Sequence, residues 1–349
     1  MAPIAEVVPP AVPYRVVEER EAPVTAFGSL GVLFCFVLVW ISSVTAPPVG
    51  VVLALLGYRV VPTILAVVAA VAYLPGVRRV PYLADSCHRM IETGVPRFAM
   101  VFEAGAEPKD PATAAPTAPP TFYAVHPHGI FSLGWAALFT WRAMRTVTFC
   151  FSDGLYASPY FRLLSKLTGK PAGASKASLQ SLLRKGRDVA LLPGGFEEAT
   201  ISKLGVDRAY AKKRAGFLKY CLQVGARVCP VYAFGECHFY HNAQGLWRLR
   251  FWLNGHGLPA VAFWGRAAMP CAPKTSAPSG LVIVVGRPVE LPRIANPTPD
   301  DVRAAHAKYI EALTGLFERH KGLAYAVGPY GKPANGGNGA SNARTLELW

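Results

Sequence analysis

Charged residues are scarce in this sequence, and acidic residues are the scarcer kind. Only 16% of the 349 residues are charged while 52% are hydrophobic, and 36 Lys and Arg outnumber 21 Asp and Glu. So apolar a composition predicts a membrane-contacting segment. The formal net charge of +15 favours anionic partners such as lipid headgroups or phosphorylated substrates, although a generally basic surface accounts for it equally well.

The sequence lacks the motifs that several classes of function require. There is no motif that reads RNA or DNA and no basic block interleaved with aromatics, so no nucleic-acid partner is expected. No Gly-x-Ser-x-Gly turn occurs, which argues against a serine acyl-enzyme. The seven cysteines are odd in number and form no Cys-x-x-Cys pair, which disfavours a disulfide framework and leaves only weak support for a zinc site. Such a site would use Cys229, Cys237, His238 and His241.

Two long apolar runs lie near the amino terminus. Ala26–Val44 carries no charge, and Val49–Leu74 is interrupted by only one arginine and one proline. Each run approaches or exceeds the ~20 residues that cross a bilayer. The pattern predicts a transmembrane helical hairpin over residues 26–80, turning at Pro47-Pro48, with both flanks cytosolic because an arginine pair follows the second run. A pair of buried core helices is the alternative.

The rest of the chain divides by composition. Residues 1–25 are predicted to be a disordered tail, residues 81–120 a membrane-surface helix and an Ala/Pro/Thr-rich linker, and residues 328–349 a disordered Gly/Asn-rich tail. Between residues 121 and 327, strand patterns alternate with helix patterns. This alternation predicts an α/β domain with a largely parallel sheet.

A histidine motif follows the first strand of this domain. The strand Thr121–Val125 runs into His126-Pro127-His128-Gly129. Because Pro127 favours an extended conformation at His126, the two imidazoles are expected to project from the same side of the strand end. A histidine pair suits proton transfer near neutral pH, metal binding or plain packing, and this motif alone does not decide among them.

Three further segments carry candidate site residues. The strand over residues 188–192 ends in Pro193-Gly194-Gly195, where backbone N–H groups could hold an oxyanion and Glu198 could orient an imidazole. An ordinary tight turn with solvated acids is the alternative. A basic run then either binds phosphates, as in coenzyme A, or forms a solvated face. Phe234-Gly235-Glu236 ends another strand, and its plain interpretation is a turn with a surface glutamate.

These motifs together resemble the type-2 diacylglycerol acyltransferase family, which includes monoacylglycerol and wax-alcohol acyltransferases. The shared motifs occur in the family's order: His126-Pro-His-Gly129, Pro193-Gly-Gly-x-x-Glu198, Arg214-x-Gly216-Phe217 and Phe234-Gly-Glu236. The resemblance implies a glycerolipid-acyltransferase-like α/β domain that uses acyl-CoA as co-substrate, with no separate cofactor and no metal. It also implies the endoplasmic reticulum membrane and lipid droplet surface, with the catalytic domain facing the cytosol.

The implied reaction moves a fatty acyl group from acyl-CoA to the free hydroxyl of diacylglycerol, with monoacylglycerol or a long-chain alcohol as alternative acceptor. His128 is the expected general base, His126 supports it or binds substrate, and Glu198 orients the imidazole. The glycines and proline of the two turns are expected around the oxyanion and substrate: Gly129, Pro193, Gly194 and Gly195. The basic run is expected at acyl-CoA: Arg208, Lys212, Arg214 and Lys219.

Two alternatives belong to other classes. One is a non-catalytic lipid-droplet protein that keeps the hairpin, and the other is a metal-dependent hydrolase. The expected partners are acyl-CoA, diacylglycerol and the lipid bilayer, while a homo-oligomer is left open.

Overall fold

A computed structural model of the chain describes residues 12–36, 42–109, 115, 118–266, 272–274, 280–325 and 344–349. The helices in these ranges are α1 (Ala26–Phe36), α2 (Ser42–Leu55), α3 (Val60–Tyr73), α4 (Pro81–Thr93), α5 (Leu133–Thr140), α6 (Asp153–Ala157), α7 (Pro159–Thr168), α8 (Lys176–Arg184), α9 (Gly195–Ile201), α10 (Gly216–Val224), α11 (Trp247–Gly255) and α12 (Pro299–Tyr325). The strands are β1 (Tyr14–Glu21), β2 (Arg97–Glu103), β3 (Thr121–His126), β4 (Thr148–Phe151), β5 (Pro171–Gly173), β6 (Val189–Leu191), β7 (Arg208–Ala209), β8 (Arg227–Phe234), β9 (His241–Asn242), β10 (Phe263–Trp264), β11 (Leu281–Val285), β12 (Val289–Glu290) and β13 (Glu347–Leu348).

A nine-stranded sheet forms the centre of the molecule. Its order is β1-β2-β11-β8-β3-β6-β4-β5, with β12 beside β8. The neighbours from β8 through β5 run parallel, whereas β11 and β12 are antiparallel to β8 and β1 is antiparallel to β2. The predicted α/β class with a largely parallel sheet is therefore confirmed.

Helices cover the sheet on both faces, so its strands are apolar on both sides. In β3, Tyr123 and Val125 belong to the core beneath α5, while Phe122 and Ala124 belong to the opposite core. The second core is built from α8, α10 and α12. Phe217 of α10 stacks on Phe122 with ring centroids 4.9 Å apart. This doubly covered sheet explains why β3 and β11 are fully buried along their whole length.

The expected disordered amino-terminal tail is wrong for residues 14–21. These residues form β1, which pairs with β2 from Tyr14 opposite Glu103 to Glu21 opposite Arg97. The expected surface helix over the first part of residues 81–120 is also corrected, because it ends at Thr93 and the chain then enters the buried strand β2. Part of the predicted linker, residues 110–114, 116 and 117, lies outside the described residues.

A helical hairpin is present, but its turn is not at Pro47-Pro48. Both prolines lie inside α2, and the chain turns between α2 and α3 near Gly57, whose φ of 87° favours glycine. Pro47 lacks the N–H that would bond the Ser43 carbonyl, and the Ser158 hydroxyl of the neighbouring α7 region donates to that carbonyl instead, at 2.9 Å. The Ser43 carbonyl thus accepts a hydrogen bond from a neighbouring segment.

The first apolar run is only partly described, since residues 37–41 lie outside the described ranges. In the ranges that are described, no helix combines the length and the apolar character that crossing a bilayer requires. The helix α1 packs closely on α4, because a Cβ on Gly28 would lie 2.2 Å from the Thr93 carbonyl carbon.

The predicted disordered carboxyl-terminal tail is corrected in one place, and before it α12 runs through Gly322 to Tyr325. Residues 344–349, expected to be disordered, contain β13, which pairs in parallel with β7 from Glu347 opposite Arg208. The remainder of that expected tail, residues 328–343, lies outside the described residues.

Candidate active site

Three motifs meet at one edge of the sheet because their strands are parallel neighbours. The strand β3 lies between β6 and β8, and both pairings are parallel. At its carboxyl end, β3 leads into His126-Pro127-His128, β6 into Pro193-Gly194-Gly195, and β8 into Gly235-Glu236. In open α/β sheets, ligand sites form at this edge.

His126 is fully buried and hydrogen-bonded at both ring nitrogens. Nδ1 lies 2.6 Å from Glu198 Oε1, and Nε2 lies 2.7 Å from the Tyr309 hydroxyl. Burial raises the pKa of Tyr309 well above its ordinary value, so its hydroxyl keeps its proton. His126 therefore bridges α9 and α12 and has no ring nitrogen left for a substrate.

Glu198 is the shared acceptor of this site. Besides the His126 contact, its Oε1 accepts the Tyr210 N–H at 2.9 Å, and its Oε2 accepts the His128 backbone N–H at 2.8 Å. Glu198 was expected to orient the imidazole of His128, but it contacts the imidazole of His126 and only the backbone of His128. Through these contacts the Glu198 carboxylate fixes the backbone that leads from the end of β3 to His128.

The ring of His128 has different partners from the ring of His126, because it lies beside Ser132 before α5 rather than against α9 and α12. Its Nδ1 is 3.0 Å from the Gly129 carbonyl and 3.0 Å from the Ser132 hydroxyl. A carbonyl oxygen only accepts, so this contact places the ring proton on Nδ1 and leaves the lone pair on Nε2. Burial lowers the pKa of His128 below its ordinary 6.5, which keeps the ring neutral near pH 7.

A cavity of about 190 Å³ adjoins His128. Its walls are mostly apolar and include Trp135 of α5, Phe151 of β4 and Leu192, with Gly195 at the start of α9. A second, apolar cavity of about 90 Å³ shares Ser132, Trp135 and Phe151 with the first and extends toward α4 and α7. A neutral imidazole thus lies beside space suited to an alkyl chain.

The two turn glycines, which are expected near the oxyanion, have different surroundings. A Cβ on Gly194 would lie 2.5 Å from the carboxyl carbon of Glu198, so Gly194 makes room for that side chain. Gly195 lines the cavity, and its N–H donates to the Leu192 carbonyl at 3.3 Å. Pro193 precedes them in the same turn, outside the two cavity linings.

Glu236 is buried, so the expected surface glutamate is wrong. Its two carboxyl oxygens accept the N–H groups of Leu133 and Gly134 at 3.0 and 2.8 Å, which caps the first turn of α5. Burial raises its pKa to about 7 although these two bonds oppose the shift. Gly129 is needed beside this carboxylate rather than beside a ligand, since a Cβ there would lie 2.4 Å from Glu236 Oε1.

The basic run lies beside the site, and two of its four named side chains already pair with acids. Arg208 bonds Glu347 at 2.6 Å, and Arg214 pairs with Glu197 and lies over the Tyr210 ring. The side chains of Lys212 and Lys219 are exposed. The run is close to the histidines because Tyr210, within it, donates its N–H to Glu198.

Two functional side chains were missed in the sequence. Tyr309 lies in α12 among buried residues that recur at helical spacing, where a hydroxyl among apolar neighbours signals a polar partner. Ser132 follows His128 by four residues and carries no motif of its own. It adopts a left-handed backbone conformation with φ of 56°, and its hydroxyl meets the His128 ring.

The residues named for a zinc site serve other contacts. Cys237 Sγ lies 3.7 Å from Asp207, and His238 Nε2 lies 3.0 Å from Arg344. Over the ranges that the structure covers, no three side chains of His, Cys, Asp or Glu gather as metal ligands.

Replacing Gly194 by Ala tests the Glu198 arrangement. The added Cβ would displace the carboxylate from three hydrogen bonds, so we expect the free energy of unfolding to fall by about 2 kcal/mol or more. Thermal unfolding of Gly194→Ala and of the control Gly154→Ala measures this, since a Cβ on Gly154 meets nothing within 4 Å. Equal unfolding midpoints for the two variants would contradict the arrangement.

Known proteins share this sequence pattern. A family model described as diacylglycerol acyltransferase matches residues 119–329, more than half of the chain. A diacylglycerol O-acyltransferase 2 of Dictyostelium discoideum is 31% identical over 222 residues, which are 57% of this chain and 65% of that protein. The human 2-acylglycerol O-acyltransferase 3 is 31% identical over 222 residues, covering 56% of this chain and 63% of that protein.

The human acyl-CoA wax alcohol acyltransferase 2 is 30% identical over 221 residues, covering 56% of this chain and 64% of that protein. The matched segments thus span just under two thirds of each of these three relatives. No solved structure matches the chain significantly. The family match covers all three motifs that converge at the sheet edge, and the chain belongs to the diacylglycerol acyltransferase family.

Proposed function

We propose that this protein transfers a fatty acyl group from acyl-CoA to the free hydroxyl of diacylglycerol, with His128 as general base. The observation that carries the proposal is a neutral imidazole lining an apolar cavity, with its proton held on Nδ1 by the Gly129 carbonyl. Family membership supports the reaction class.

In this mechanism Nε2 of His128 removes the proton of the acceptor hydroxyl. The alcohol oxygen attacks the thioester carbonyl, the C–S bond breaks, and the coenzyme A sulfur leaves and takes up the proton from His128. His126, Glu198 and Tyr309 do not touch the reacting atoms in this scheme. They hold the strand end and the His128 backbone, which keeps the base in place as the hydroxyl approaches. The exposed amines of Lys212 and Lys219 are the proposed contacts for the coenzyme A phosphates.

Replacing His128 by Ala should lower acyl transfer by about a hundred- to ten-thousand-fold, the range that general-base help contributes. Microsomes carrying the variant are assayed for triacylglycerol, with His256→Ala as control because His256 is an exposed histidine that follows α11 and lines neither cavity. Near-normal turnover of His128→Ala would remove His128 as the base.

The pH dependence follows from the lowered pKa of His128. The reactive form is the neutral ring, and its fraction falls as pH drops through the pKa. Because burial lowers that pKa from 6.5, the midpoint of the decline in kcat/KM should lie below pH 6.5. A pH–rate profile measures the midpoint, and the residual rate of His128→Ala should lack this decline. A midpoint above 6.5 would contradict the neutral-base assignment.

The acceptor is the least constrained part of the proposal. Relatives carry names of diacylglycerol, 2-acylglycerol and wax-alcohol acyltransferases. A panel of the three acceptors with one acyl-CoA separates these activities. A non-catalytic lipid-droplet protein would give no product with any of them.

We propose further that the hairpin of α2 and α3 enters the membrane of the endoplasmic reticulum and the lipid droplet surface, with the catalytic domain cytosolic. Its support is a group of exposed large apolar side chains on both helices, and contiguous exposed apolar patches mark sites of protein or membrane interaction. This hairpin face consists of Val49, Val51, Val52, Leu55, Leu56, Val60, Val61, Ile64 and Val67.

The hairpin contacts α7, which also lines the apolar cavity, and this arrangement supports lateral delivery of lipid. The helix α3 packs on α7, and Lys166 of α7 donates to the carbonyls of Ala72 and Leu74 at the end of α3. On the same helix, Phe161 and Leu164 line the smaller cavity. An apolar acceptor leaving the bilayer along α7 would therefore reach the site without crossing water.

Replacing Leu55 and Val60 by Glu tests the membrane face. Each charge would have to enter an apolar phase, so binding to phosphatidylcholine vesicles should weaken by about tenfold or more per substitution. Vesicle flotation measures the bound fraction. The control Ala304→Glu places the same charge on an exposed site of α12, and vesicle binding equal to the control would contradict the proposed face.

A further inference from the structure

Residues 344–349 lie along the segment that leads into the Glu198 carboxylate. We call these residues the strap. The Glu347 N–H donates to the Asp207 carbonyl at 2.9 Å, and the Trp349 N–H donates to the Ala209 carbonyl at 2.9 Å. In return the Lys212 N–H donates to the Trp349 carbonyl at 2.8 Å. The strap thus adds a strand to β7.

Side-chain contacts hold both ends of the strap: an ion pair at one end and ring contacts at the other. Arg344 lies 3.2 Å from the buried Asp207, whose carboxylate also accepts the Tyr325 hydroxyl at 2.7 Å. At the other end, the Arg208 guanidinium lies 5.3 Å from the Trp349 ring centroid, and Trp247 meets that ring edge-on at 5.4 Å. These contacts hold the strap against the domain from two sides.

One peptide group connects the strap to the active site. The Ala209 carbonyl accepts from Trp349, and the N–H of the same planar peptide unit, that of Tyr210, donates to Glu198 Oε1 at 2.9 Å. Because the unit is planar, fixing the carbonyl fixes the direction of the N–H. A hydrogen bond on one side of an amide also polarises it and strengthens the bond on the other side.

We propose that the strap is a positioning element of the active site, which acts through the Ala209–Tyr210 peptide on Glu198 and so on the histidines. The proposal rests on the acyl-transfer function given above. Without the Trp349 N–H, the peptide can rotate and Glu198 loses a buried donor. The carboxylate then holds His126 and the His128 backbone less firmly, which lowers the rate of the chemical step rather than substrate binding.

A matched pair of variants isolates the bond. Trp349→Ala removes the ring contacts and keeps the N–H, whereas Trp349→Pro removes the N–H as well. We expect kcat of Trp349→Pro to be about tenfold below that of Trp349→Ala, with the KM for acyl-CoA changed less than twofold. Both variants should unfold at the same temperature, which separates positioning from loss of the fold.

Hydrogen exchange gives a readout that needs no activity. Exchange of the Tyr210 amide, followed in a peptide covering residues 207–212, should be faster in Trp349→Pro than in Trp349→Ala. Equal exchange, or equal kcat in the two variants of an active enzyme, overturns the proposal. A change in KM alone would assign the strap to acyl-CoA binding and also overturns it. If the unaltered protein makes no product, the proposed function fails, while the exchange comparison still decides whether the strap holds the peptide.

Discussion

The site depends on one buried carboxylate that takes part in three hydrogen bonds. Glu198 accepts from the His126 ring, from the His128 backbone and from Tyr210, while Gly194 leaves the space it occupies. A buried carboxylate is costly unless such donors surround it, so the three donors and the missing Cβ are required together. The Pro-Gly-Gly-x-x-Glu spacing is thereby explained, because it brings the acid back over its own turn.

A second buried glutamate, with backbone donors and a glycine beside it, lies on the other side of the histidines. Glu236 accepts the first amides of α5, and Gly129 leaves its space, so each of two glutamates anchors the loop that carries His128. Neither carboxylate contacts the His128 ring, whose hydrogen bonds go to Gly129 and Ser132. The ring is therefore held in place while its Nε2 remains free of the acids, which suits a neutral base.

Much of the architecture could be predicted because β3, β8 and β11 are continuous apolar runs followed by glycine or proline. The strand β1 could not, since its charged residues suit an exposed edge and its partner β2 lies far along the chain. Two motifs that follow strands of one parallel sheet are expected to meet, and His126 and Glu198 do lie together. The sequence does not tell which imidazole contacts the acid, and Tyr309 lies 183 residues from His126 along the chain.

The pairing of β1 with β2 has a topological consequence for the membrane. These strands are hydrogen-bonded neighbours, and α1 through α4 are all inserted in the connection between them. Whatever part of that connection enters a bilayer must leave it again on the side where the sheet lies, so any crossings come in even number. Both ends of the insert are held by one sheet edge, so an insert that entered a lipid surface would attach the domain at two points, and the strands rather than a flexible tether would set its tilt.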